Sequence, residues 1–348
     1  MIPTNNKYNK LLESIGTSIT TGRNKALSLL SEQLLLTYWS IGKHIVDFEQ
    51  DGKERAEYGA ELLNQLSKDL RIRFGKGFSK SNLYLMRLFY VKYPNFQTSG
   101  KFQTSGKSEI SQTSGKLSWS HYAELLTVSD DLARSFYEKQ AIKENWSSRE
   151  MKRQIDSALF QRLALSKDKK GVLALAEKGQ KIASPKDIIK DPYIFEFLEL
   201  PEDSIIKERG LEKKLINNLQ HFLLELGKGF TFVAKQKKIT IDNEHNYIDL
   251  VFYHRILKCF VLIDLKTRKV KHQDIGQMNL YLNYYKEEEN EPDDNEPIGI
   301  IIATDKHEFT VKYATGGLAN KIFVSKYQLY LPDQKVLEDK VKEIVEHQ

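Results

Sequence analysis

The sequence predicts two domains of different class, a mostly α-helical one followed by an α/β one. Three observations carry this. Leucines and aromatics recur at helical spacing through the first 165 residues. From about residue 205 the period changes and short strand-like runs appear. The stretch between, 166–190, is rich in Lys, Ala and Asp and reads as a connection. The expected organisation is a helical domain over 8–165, a connection over 166–190 and an α/β domain over 191–335. With 348 residues, 40% of them hydrophobic, the chain is long enough for two ordinary cores.

In the first half, Ile15, Ile19, Leu27, Leu30, Leu34 and Tyr38 predict one helix over 8–48. Leu62, Leu63, Leu66 and Leu70 predict a second over about 56–73, ending at Gly75-Lys76-Gly77. Ser79 then offers an N-cap to a third, carrying Leu83, Met86, Phe89 and Tyr90. Helix, glycine turn, helix is the outline of a helix-turn-helix, and Lys80, Asn82 and Arg87 on its second helix could reach a phosphate or a base edge. An ordinary helical hairpin with a basic surface fits the same pattern.

Residues 96–116 are of another kind. Phe-Gln-Thr-Ser-Gly-Lys runs from Phe96 to Lys101, repeats from Phe102 to Lys107 and returns in part at Gln112 to Lys116. It is too short and polar to build a core, so a flexible loop is expected. Gly106-Lys107-Ser108 mimics the end of a phosphate-binding loop, but Lys101 stands where that motif needs glycine, and no strand precedes it. Helical spacing resumes at Trp119. His121 has no partner acid or nucleophile marked nearby and reads as structural.

In the second half, a helix over about 208–226 is followed by strands at 235–241, 246–253 and 258–266. A helix over 273–286 and strands at 298–303 and 321–325 complete the pattern.

Composition narrows the function. No run of 18 apolar residues and no basic-apolar-small leader is present, so a soluble, cytoplasmic protein without membrane contact is expected. Cys259 is the only cysteine, which excludes an intrachain disulfide and a cysteine-based zinc cluster. Residues 1–170 hold 27 Lys+Arg against 18 Asp+Glu, whereas the remainder holds 26 against 29. A basic first half suits a nucleic-acid partner, although a solvated surface has the same composition.

The chemistry concentrates in two strands. Side chains alternate along 247–253, which puts Asp249 on one face with Tyr247, Val251 and Tyr253. In the next strand Phe260, Leu262, Asp264 and Lys266 share a face. A turn over 254–257 would set Asp249 beside Leu262, with Asp264 its diagonal neighbour about 7–8 Å away at the backbone. Two acids in strands that otherwise read as buried are costly unless paired or coordinated. A divalent cation resolves that cost, and Mg²⁺ and Mn²⁺ prefer carboxylate oxygens. Lys266, on the same face, would orient a water or stabilise charge on a phosphate. The plainer alternative is a buried Asp–Lys ion pair.

The helix before the strands has an apolar stripe of Leu211, Leu215, Leu219, Phe222, Leu223 and Leu226. Glu212 falls inside it, and Glu208 one turn earlier. Either could supply a further acid to the site, Glu212 being the better placed. In the following helix Gln277 and Tyr281, four apart, share a face and could contact substrate or support Lys266.

Glu212, Asp249 and Asp264-Leu265-Lys266 together resemble the PD-(D/E)xK nuclease superfamily, and Gln277 to Tyr281 resembles the Q-x-x-x-Y box of its RecB-like members. Asp264 departs from the more usual glutamate, and the proline is absent. The strings Phe222 to Phe230, Ile248 to His254, Asp274 to Met278 and Pro297 to Ile301 resemble the YhcG-type family of bacterial proteins. Tyr38 to Gly42, Phe74 to Ser79 and Leu117 to Tyr122 resemble the helical domain that accompanies it. The resemblance implies a restriction-endonuclease-like α/β domain and a Mg²⁺-dependent nuclease, with Mn²⁺ as a substitute, acting on DNA. Two other functions stay open: a DNA-binding or assembly protein that does not cut, and an RNA-directed nuclease. Oligomeric state is open as well, a homo-oligomer included.

Overall fold

In the computed structural model, residues 6–51, 56–96, 117–165, 167–201, 207–305 and 321–346 are described. They divide into two compact units, Met1–Lys152 and Arg153–Gln348.

The first unit is helical. Helix α1 spans Asn6–Asp51, α2 Ala56–Phe74, α3 Lys80–Lys92, α4 Trp119–Leu125 and α5 Asp131–Glu144, and α6, Ser148–Asp156, begins in it. The glycine turn is as expected: Gly75 and Gly77 take φ of 82° and 111°, and the Ser79 hydroxyl accepts from the Asn82 N–H (3.2 Å). Ile45, Leu63, Leu83 and Met86 form a core under Tyr38, Leu66, Leu70 and Trp119. Gly42 lets α1 and α3 meet closely, because a Cβ there would sit 2.0 Å from the Met86 carbonyl oxygen. The repeat expected as a loop lies outside the described residues from 97 onward. Phe96 is buried, with its ring centroid 4.9 Å from that of Phe89.

His121 is held structurally. Its Nδ1 accepts from the Ser118 N–H (3.1 Å), and its Nε2 lies 3.0 Å from the Trp146 carbonyl oxygen, which it can only reach as a donor.

The second unit is a six-stranded sheet, β1 (Tyr193–Ile194), β2 (Phe230–Ile241), β3 (Glu244–His254), β4 (Cys259–Lys269), β5 (Ile298–Asp305) and β6 (Lys321–Gln328), in the order β1-β6-β5-β4-β3-β2. The β2–β3–β4 part is an antiparallel meander; β4, β5, β6 and β1 run parallel. Helices α7 (Leu159–Ala164), α8 (Lys169–Lys178), α9 (Glu208–Asn217), α10 (Leu219–Leu226), α11 (His272–Tyr284) and α12 (Gln334–Glu346) accompany it. Leu211, Leu215, Phe222 and Leu226 of α9 and α10 cover one face, against Leu250, Phe252, Ile263 and Leu265. Ile275, Met278, Tyr281 and Leu282 of α11 cover the other, against Val251, Leu262 and Ile301. Strand β5 is therefore buried on both faces, which is why it reads Ile-Gly-Ile-Ile-Ile-Ala without alternation. Cys259, at the start of β4, is 1% exposed.

Several expectations are corrected. The helix over 208–226 is two helices, because the Asn218 side chain bonds the Lys214 carbonyl (3.0 Å) and competes with the backbone there. The stretch read as a connection contains α8, whose Val172, Leu175 and Ala176 are buried. Helix α12 continues beyond residue 335. The β3–β4 register is also shifted. Val251 pairs with Leu262 and Tyr253 with Phe260, because the four-residue turn runs from Arg255 to Lys258, which takes φ of 48°. The shift is by two residues, so the faces of the paired residues are conserved, and the register carried one step further would set Asp264 opposite Asp249.

Candidate metal centre

Three strands set the site. The β3–β4 ladder ends at Leu250–Ile263, one step before Asp249 and Asp264 would pair. There the Asp249 side chain takes over: its Oδ2 accepts from the Leu265 backbone N–H (2.8 Å). On its other side Asp249 faces β2, where Gln236 takes a positive φ of 47°. Ile248 and Leu250, two residues apart, belong to opposite packing clusters, so the regular alternation expected for β3 breaks at Asp249.

Gln236 is the residue the sequence did not mark. Its Nε2 donates to Glu212 Oε2 (2.8 Å) and to Asp249 Oδ1 (3.0 Å), joining α9 to β3. Nothing in the run Lys235 to Lys238 distinguishes it. The signal is the backbone twist, which a one-dimensional reading does not carry.

Asp264 is 3% exposed. Lys266 Nζ stands 2.7 Å from its Oδ2, a buried ion pair. Burial pushes the Asp264 carboxyl well above the usual range; the Lys266 ammonium opposes this, and the adjoining Asp249 carboxylate adds to it. Burial works against the Lys266 ammonium too, but the Asp264 charge outweighs it and holds the lysine above its ordinary value. Burial, then the Asp249 charge, raise Glu212. Glu208, the second helix acid, lies at the edge with Oε2 3.9 Å from Lys266 Nζ.

The site thus gathers Asp249, Asp264 and Glu212 around Lys266, with Lys235 and Arg209 also acting on Glu212. Among the described residues no group of three His, Cys, Asp or Glu side chains stands ready to chelate an ion. The donors that fit are the Asp249–Asp264 pair, hard oxygens of the kind Mg²⁺ and Mn²⁺ take, with Glu212 reached through Gln236 and the remaining positions left to water.

Helix α11 braces the other face. Gln277 Nε2 donates to the Tyr281 hydroxyl, which donates to the Tyr247 carbonyl oxygen (3.2 Å), two residues before Asp249. The pair therefore ties to β3 rather than to Lys266. The helix start is pinned by Asp274, bidentate with Arg268 (2.8 and 2.8 Å) and accepting from the Lys271 N–H (2.7 Å).

In the first unit, Lys80 is exposed. Asn82 donates to the Gly77 carbonyl (2.5 Å) and accepts from the Trp119 indole (2.8 Å), while Arg87 is paired with Glu49 (2.7 Å). Both are thus engaged within the unit.

A mixed sheet covered by helices on both faces, carrying an aspartate, then Asp-x-Lys on the next strand, defines the PD-(D/E)xK nuclease class. Residues 186–342 match the family described as the YhcG PDDEXK nuclease domain, and residues 14–162 the DUF1016 N-terminal domain. The Escherichia coli (strain K12) protein named "Putative nuclease YhcG" is 38% identical over 352 residues, 96% of this chain and 93% of the relative. The chain belongs to the YhcG family, in agreement with the resemblance of its sequence strings. Two solved structures were also matched. A repair endonuclease from Pyrococcus abyssi is 21% identical over 37% of this chain and 50% of that one, with a TM-score of 0.28. An EndoMS–double-stranded DNA complex is 15% identical over 38% and 50%, with a TM-score of 0.26. No described helix is long and apolar enough to cross a membrane.

Proposed function

We propose that the second unit hydrolyses phosphodiester bonds in DNA with the help of a divalent cation, Mg²⁺ or in its place Mn²⁺, held by Asp249 and Asp264. The observation that carries this reading is the Asp264 carboxylate: buried, beside a second aspartate whose charge adds to its own, and paired with Lys266 at 2.7 Å. A bound cation would supply a water of lowered pKa and offset charge on the attacked phosphate.

The protein's own groups would do the rest. Asp249 is fixed by the Leu265 N–H and Gln236, so its carboxylate does not swing on binding. Lys266, held protonated, would stabilise charge that develops on the phosphate oxygens. Glu212, kept next to Asp249 by Gln236, is the acid that would hold a water on the helix side, with Glu208 its alternate at the rim. Gln277 and Tyr281 would set the height of β3 through the Tyr247 carbonyl. The helical unit would hold the nucleic acid, with Lys80 its freest candidate contact.

The test is cleavage of plasmid, linear, branched and single-stranded DNA and of RNA, with Mg²⁺, Mn²⁺ or EDTA. Cutting of DNA that EDTA stops supports the reading. Binding without cutting would favour a recognition role, and cutting of RNA alone would move the substrate.

A further inference from the structure

Helix α1 is amphipathic twice over. Leu35, Trp39, Gly42 and Val46 turn one side of its second half towards the core of the first unit. At 100° per residue, Tyr8, Leu12, Ile15, Ile19, Ala26 and Leu30 fall within a strip about 60° wide on the opposite side. The helix is continuous from Asn6 to Asp51, so this strip runs for about 33 Å from Tyr8 to Leu30. Within the first unit it packs on no described residue: Ile15 is 47% exposed, Ile19 50% and Leu30 68%. Ser14 and Ser18, behind the strip, bond back to Lys10 and Ser14 carbonyls (2.8 and 2.9 Å), as exposed helical serines do.

An isolated helix does not present such a face to water without a partner. We infer that this strip is a self-association surface, on which a second copy of the chain packs its own α1. Three observations favour that occupant. The first is area. Five large side chains about half exposed, with Ala26 between them, amount to on the order of 500 Å² per chain, within the size of the largest apolar patch of a typical monomer. Two strips meeting would bury about 1,000 Å² of apolar side chain before flanking residues are added, which is about the threshold for a specific interface. The second is charge. The strip itself carries none, so two copies meet without repulsion, while a membrane surface would call for a strongly basic opposite face. Between residues 8 and 34 there are only Lys10, Arg23 and Lys25 against Glu13 and Glu32. The third is fit. Gly22, level with the strip's middle and about 20° beyond its edge, has no neighbouring atom within 4 Å of a Cβ built on it, so the backbone beside the strip is open to close approach by another helix. The polar repeat at 97–116 is a poor alternative cover, since Phe102 and Ile110 are its only large apolar residues.

The experiment is light scattering coupled to size exclusion on the full chain at about 10 μM, with the double variant Ile15→Asp, Ile19→Asp alongside. The wild type is expected at twice the 40.4 kDa chain mass and the variant at one chain mass, with equal helix content by circular dichroism. Both residues face solvent, so the substitutions leave the core intact. A second variant, Ile19→Cys, is expected to give a disulfide-linked pair on mild oxidation, Cys259 being buried. A wild type at one chain mass, with or without binding to lipid vesicles, overturns the inference. So does a double variant that keeps the wild-type mass.

Discussion

The Leu265 backbone N–H donates to Asp249 Oδ2 at 2.8 Å, one residue after Asp264. The carboxylate thus closes the ladder that the backbone leaves open, and one side chain serves both strand pairing and the proposed ion. The two roles can be separated. Asp249→Asn keeps an acceptor for Leu265, so we expect near wild-type stability with loss of Mn²⁺ binding and of cleavage. Asp249→Ala should lose both and also destabilise by about 1–3 kcal/mol, the cost of a buried unpaired N–H. Thermal melts and Mn²⁺ titration calorimetry read the two effects. An Asn variant that binds Mn²⁺ and cuts like wild type would remove Asp249 from the site.

Lys266→Met should lower the cleavage rate by about 10²–10³-fold while Mn²⁺ still binds, since the lysine is assigned to phosphate charge and not to the ion. Titration calorimetry beside single-turnover rates checks this. Loss of Mn²⁺ binding in a folded variant would mean that Lys266 positions Asp264 instead.

Gln236→Ala should weaken Mn²⁺ binding by about 10–100-fold, the usual effect of removing a group that orients a ligand. Asp249 and Glu212 lose their shared donor in this variant. Unchanged affinity would show that the bridge plays no part in holding the ion.

Acid stability should depend on Glu225, which is fully buried between Arg162 (2.7 Å) and Arg153 (3.5 Å). Burial alone would raise its carboxyl, but Arg162, Lys190 and Arg153 hold it down at about 2. A depressed carboxylate contributes stability that is complete above the unfolded value of about 4.3 and is lost as pH falls through the folded one. The contribution is roughly 3 kcal/mol, lost between about pH 4 and pH 2. Glu225→Gln should flatten that part of the Tm–pH curve and cost about 3–5 kcal/mol at pH 7 by stranding Arg162. An unaltered acid limb would show that other carboxylates set it.

In the first unit, Lys80→Ala should weaken duplex binding and reduce the slope of log affinity against log salt by about one. Arg87→Ala should do less, since Glu49 already holds that guanidinium. Fluorescence anisotropy at several salt concentrations decides between them.

Much of this was legible in the sequence because it is periodic or motif-bound. The strands bearing Asp249, Asp264 and Lys266, the Ser79 cap and the Gly75–Gly77 turn follow from strand patterning, capping and glycine chemistry, although alternation itself fails at Asp249. What escaped depends on backbone shape. The hairpin register turned on a four-residue turn, and the role of Gln236 on a local twist of β2. The Asn218 break came from a side chain competing with its own helix. The exposed strip of α1 showed in the sequence only as helical spacing, because periodicity states that a face is apolar, not what it meets.

Cys259 offers a clock. It is the chain's one thiol, it is buried at the start of β4 in the sheet of the second unit, and burial pushes its pKa up to about 11. A small alkylating reagent therefore meets a thiolate only when that sheet opens. The rate of modification under native conditions counts those openings one molecule at a time, without contribution from the helical unit, which has no thiol to report.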